Sequence, residues 1–216
     1  MRIAEPDVTL TDLLLAIECL VLAWLLAGLP RDSGLQPWFI LAFASIGISA
    51  VLGAVLHGFL TDRNSTAHKR VWRSIIMLLG VTGLTMWILG SRILLGQVAS
   101  GFIGVIAAAT LVLYIGITIV RHPPFSMALA YYVPAAIFLV IAFTVAALRE
   151  SNAVLLTGTA GMGLSLVAAW VQHKRIGWQG RLLGHNALYH VIQAIALLLI
   201  YWVARELLRT PPGTSL

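Results

Sequence analysis

Charge is what this sequence has least of. Lys, Arg, Asp and Glu make up 10% of its 216 residues, whereas a soluble globular domain carries about 25%. That shortfall excludes a water-soluble fold. Cysteine is nearly absent: Cys19 stands alone, which excludes an internal disulfide and a cysteine-rich metal cluster. It reads as a small apolar residue inside the first helix. There is no long basic or polar tail, so the net charge of +6 does not indicate nucleic acid. A clean positive leader is also lacking. Arg2 is followed by Glu5, Asp7 and Asp12, and no small-x-small cleavage site leads into a polar segment, so the first hydrophobic stretch is expected to be retained. No lipidation motif, internal repeat or low-complexity segment is visible.

Apolar residues are abundant instead, at 60% of the chain, with a mean hydropathy of +0.94. Crossing the hydrocarbon of a bilayer takes about 20 apolar residues in a helix. Seven stretches qualify, over about 10–29, 38–60, 71–90, 99–120, 125–148, 153–171 and 186–204. Pro134 is expected to kink or thin the fifth. The connections are short and leave no room for a second domain. The fold class is therefore all-α, a single seven-transmembrane helix bundle.

Positive charge in short loops sets orientation. One side carries nine basic residues: Arg2, Arg63, Lys69, Arg70, Arg73, Arg121, Lys174, Arg175 and Arg181. The other carries five: Arg31, Arg92, Arg149, Arg205 and Arg209. The excess favours a cytoplasmic amino terminus in a plasma or inner membrane. Trp38, Trp72, Trp170 and Trp178 fall near span ends, as interfacial tryptophans do. Small residues such as Ser45, Ser49 and Gly53 in the second span, and Gly158, Gly161, Gly163 and Ser165 in the sixth, read first as helix-packing positions.

Polar groups at membrane depth are costly and face a bundle interior or a watery cavity. His68, His122 and His173 sit in basic loops and read as solvated. His57 lies about one turn inside the second span, and His185 and His190 open the seventh. In a seven-span topology these ends share one face, so the three imidazoles share one depth, within about 10 Å of that face. Three neutral imidazoles and a water make an open tetrahedral zinc site. The spacing works against a simple arrangement, because residues five apart on a helix diverge by about 140°. His185 joins His190 only from an irregular helix start, which Gly184 permits. Asn186, four before His190, is placed to orient a ligand or water. The same histidines read nearly as well as structural groups that cap helix ends or bond carbonyls. Glu18, deep in the first span, is either an acid or base in hydrolysis or a carboxyl bonded to a neighbouring helix.

With seven short-looped spans, Gly53-Ala54-Val55-Leu56-His57 late in the second, Arg70-Val71-Trp72-Arg73-Ser74-Ile75-Ile76 opening the third, and Gly184-His185-Asn186-Ala187-Leu188-Tyr189-His190 opening the seventh, the chain resembles the CREST superfamily. That group includes alkaline ceramidases, progestin and adipoQ receptors and haemolysin III proteins. The resemblance implies a zinc ion held by three histidines near the cytoplasmic side, and lipid-amide hydrolysis in some members. Carried over by position, His57 and His190 match, and His185 matches with a slip of one residue. The family's serine four before the second-span histidine is here Gly53, with Ser49 the nearest serine, and the family's third-span aspartate has no counterpart.

The leading expectation is a zinc-dependent intramembrane hydrolase of a lipid amide or ester. His57, His185 and His190 would be its metal ligands, and Glu18, Ser49 and Asn186 its catalytic groups. The membrane lipid would be both solvent and substrate. Three alternatives remain open: a non-enzymatic seven-span receptor or sensor with a structural metal site, a b-type haem protein with His57 and His190 as axial ligands, and a transporter relaying protons through Glu18.

Overall fold

The computed structural model describes residues 3–29, 34–121, 123–177 and 184–209. Arg2, Arg31, His122, Trp178 and Arg181 lie outside them. The described residues form seven helices: α1 (Pro6–Ala27), α2 (Gln36–Phe59), α3 (Thr66–Leu94), α4 (Gln97–Val120), α5 (Phe125–Glu150), α6 (Ala153–His173) and α7 (His185–Arg209). All seven are long and apolar enough to cross a membrane.

Local chemistry sets several helix ends beyond the apolar runs. Pro6 occupies the start of α1 and Asp7 its first turn. Proline there loses no helical hydrogen bond, and an acidic side chain favours the positive end of the helix dipole. Helix α1 therefore begins four residues before its apolar run, and Asp7 and Asp12 fall inside it. Ser65 caps α3, its hydroxyl accepting from the His68 N–H at 3.2 Å, which draws the helix back to Thr66. His68 is thus a helical, part-buried residue with Nδ1 on the Leu60 carbonyl, not a solvated loop histidine. Helix α5 runs unbroken through Pro134.

Six helices form a closed ring in the order α1, α2, α3, α5, α6, α7, and α1 packs back on α7. Among the described residues α2 and α7 make little direct contact, while α1 packs against both. Gly47, Gly53 and Gly58 of α2 admit α1 closely: a Cβ on them would meet Cys19, Asp12 and Thr9 within 2.8–3.2 Å. The main core draws on all six ring helices, with Phe39, Phe43, Leu139 and Phe143 at its centre. Helix α4 lies outside the ring along α3. It buries only the stripe Ala107, Leu111, Tyr114 and Thr118. Tyr131 of α5 reaches it by stacking on Tyr114 at 4.6 Å.

Candidate functional site

The polar groups inside the bundle gather where the first turns of α1 lie between the end of α2 and the start of α7. Ala4 N–H donates to the Gly58 carbonyl at 3.2 Å. Glu5 Oε2 stands 3.0 Å from His57 Nδ1, both side chains being partly exposed. Asp7 Oδ2 accepts the Gly184 N–H at 3.0 Å. Gly184 in turn accepts the first helical bond of α7, from Leu188 N–H. A side chain of α1 thus caps α7, satisfying a backbone donor that a helix start otherwise leaves free.

One turn deeper, Asp12 is buried, 3% exposed. Its Oδ1 stands 3.2 Å from His190 Nε2. Thr11, the preceding residue, places Oγ1 3.1 Å from Nδ1 of the same ring. Both nitrogens of His190 are therefore held by α1. The Thr11 hydroxyl also lies within 3.0 Å of the Asp7 and Val8 carbonyls. If it donates to one of them, Nδ1–H donates to Thr11. If it donates to Nδ1, Nε2–H donates to Asp12. Either arrangement leaves Nε2 facing Asp12 Oδ1 across 3.2 Å. Asp12 Oδ2 is buried with no hydrogen-bond partner among the described residues.

Gly53 makes this carboxylate possible. A Cβ there would stand 2.8 Å from Asp12 Oδ1 and 3.0 Å from Oδ2. Any side chain at position 53 would meet this aspartate, which comes from another helix.

The residues singled out from sequence are spread across this region. Among the described residues, no three His, Cys, Asp or Glu side chains gather into a group that would hold a metal ion. His57 is engaged by Glu5, and His190 by Thr11 and Asp12. His185 is half-buried in the first turn of α7. As arranged, these donors do not fit a three-histidine zinc centre. Asn186 turns toward α6, where its Oδ1 accepts from Gln172 Nε2 at 3.5 Å. Ser49 is buried and lies one turn further into α2 than Gly53. Glu18 is six residues beyond Asp12, about 9 Å along the helix.

Sequence reasoning missed Asp12 and Thr11. Asp12 was legible: it lies inside the first apolar run and shares a helix face with Ala16, Cys19 and Ala23, all buried. A carboxyl on the small-residue face of a membrane helix points into the bundle.

Fold and site together define a polytopic membrane protein with a carboxylate–imidazole pair enclosed at one end of a six-helix ring. The chain belongs to a family of unknown function (DUF6962), whose model matches residues 8–209 and so includes both Asp12 and His190. No curated protein and no solved structure matches it.

Proposed function

We propose that the protein is an intramembrane hydrolase of a lipid amide or ester, with the Asp12–His190 pair as its acid–base centre. The observation that carries this reading is the pair itself, with Asp12 Oδ2 left free. Asp12 lies six residues beyond Pro6, about 9 Å along α1, between the bilayer boundary and its midplane. The excess of basic residues on this side supports placing this end on the cytoplasmic face of a plasma or inner membrane.

A water bound against Oδ2 would give a proton to the pair as its oxygen attacks the lipid carbonyl. The same proton would pass to the leaving nitrogen or oxygen as the carbon–heteroatom bond breaks. Thr11 would hold the imidazole in orientation, and His57 with Glu5 would border the centre on the side nearer the membrane surface.

The test is turnover of acyl amides and esters by purified protein in phospholipid vesicles, with released fatty acid read by mass spectrometry. Asp12→Asn and His190→Gln are each expected to lower the rate about 100-fold or more. Absence of fatty-acid release by the wild-type protein would remove the reading. Metal content is measured on the same samples. Zinc lost on both His57→Ala and His190→Ala, and kept in His68→Ala, would restore the three-histidine expectation in a rearranged form.

A second reading, a proton-linked receptor or sensor without turnover, is favoured by the small size of a cavity in the core. The cavity among Phe39, Phe43, Met86, Met162, Ser165 and Gln193 holds about 20 Å³, room for roughly one water. A pair that exchanges a proton with no lipid consumed would support it.

A further inference from the structure

Glu18 is one of four described residues with a buried side-chain polar atom that has no hydrogen-bond partner, beside Asp12, Arg73 and Gln172. It follows Pro6 by twelve residues, about 18 Å along a helix about 33 Å long, and so lies near mid-membrane. Seven residues, two turns, separate it from Thr11, which faces α7. Glu18 therefore faces the seam between α1 and α7. Its Oε1 is buried without a hydrogen-bond partner among the described residues, while the residue as a whole is half-buried. The surface on either side is apolar. Leu14, Ile17 and Val21 of α1 and Ile195, Leu198 and Trp202 of α7 are all exposed.

A carboxyl at this depth needs a hydrogen-bonding partner, and hydrocarbon offers none. Lipid carbonyls and head groups lie at the bilayer boundary, more than 10 Å away for a core about 30 Å thick. One group from outside the chain is bound to share this depth: Glu18 of a second copy inserted the same way round. We propose that the protein forms a parallel homodimer through the α1–α7 face, with the two Glu18 side chains hydrogen-bonded to each other across a twofold axis along the membrane normal. A twofold axis brings identical residues together, and the accessible oxygen of one neutral carboxyl can share a single O–H···O bond with that of its symmetry mate. The exposed leucine, isoleucine and valine side chains of α1 pack around that contact. The association goes beyond the hydrolase reading and does not depend on turnover.

The experiment is energy transfer between carboxy-terminally labelled full-length chains in phosphatidylcholine vesicles over a range of protein-to-lipid ratios. Wild-type protein is expected to associate. Glu18→Leu should weaken association about 3- to 30-fold, the range that interhelical hydrogen bonds contribute in membranes. Glu18→Gln, which still donates and accepts, should retain it. A second measurement locates the contact. In a Cys19→Ser background, Ile17→Cys should form a disulfide-linked dimer on oxidation, and Val112→Cys on the outer face of α4 should not. Equal association of wild type and Glu18→Leu, a monomer at every ratio, or cross-linking through α4 instead would each overturn the proposal.

Discussion

Gly53 shows how one residue can record a contact made far away in the sequence. Nothing near it in α2 requires a glycine. The requirement comes from Asp12, whose carboxylate sits where a Cβ would be. Gly53→Ser is therefore expected to destabilise the protein by about 1–3 kcal/mol, as overpacking a filled site does, measured by thermal unfolding in detergent. Combined with Asp12→Ala, the same serine should cost much less, and a double-mutant cycle would read the difference as coupling. The pair itself makes a sharper case. Asp12→Ala leaves a buried imidazole without its partner, and His190→Ala leaves a buried carboxylate. Each is expected to cost about 3–5 kcal/mol, with the double variant well below the sum. At this scale the histidines were legible from sequence, because an imidazole inside an apolar run stands out. Of their partners, Asp12 carries a signal in its place on the small-residue face of the first apolar run; Asp7 and Thr11 carry none, because Asp7 precedes that run and a threonine within it is common. Which atoms meet His190 depends on how three helices pack, and no spacing within one helix encodes that.

Among the elements, α1 has the most varied role. One of its faces carries Thr9, Asp12, Ala16, Cys19 and Ala23 to α2, and the adjoining one carries Thr11 to α7. Its first turn also caps α7 through Asp7. Asp7→Ala is expected to cost about 1 kcal/mol, the usual effect of a lost helix cap, and to speed amide hydrogen exchange over Gly184–Leu188 while leaving α4 unchanged. The seven helices were legible because each crossing needs a long apolar run. Their ends were less so. Ser65 extends α3 backward by a cap, and Pro6 with Asp7 does the same for α1. Both are polar signals that a hydropathy window averages away.

At the scale of the whole molecule, glycines that seat a neighbouring helix differ from those that face open space. Gly161 of α6 lies against α7, where an added Cβ would stand 2.9 Å from the Ala196 carbonyl oxygen. Backbone cannot step aside cheaply, so Gly161→Ala is expected to destabilise the fold by about 1–3 kcal/mol. Gly104 of α4 has nothing within 4 Å of such a Cβ. Gly104→Ala should be neutral or stabilise by up to about 1 kcal/mol through reduced freedom of the unfolded chain. Both are read by thermal unfolding in the same detergent. Composition alone gives seven crossings, but small residues mark faces without saying which faces meet, so a ring of six helices with α4 outside it was not legible.

The contact between Thr11 and His190 joins residues 179 positions apart. A ribosome adding about 5–20 residues each second needs about 9–36 s to make that span. For that interval the newly inserted first helix holds Asp12 in the lipid with its eventual companion still unmade. The nascent protein must therefore keep this side chain neutral, hydrated at the membrane edge, or sheltered by the insertion machinery until the last segment arrives.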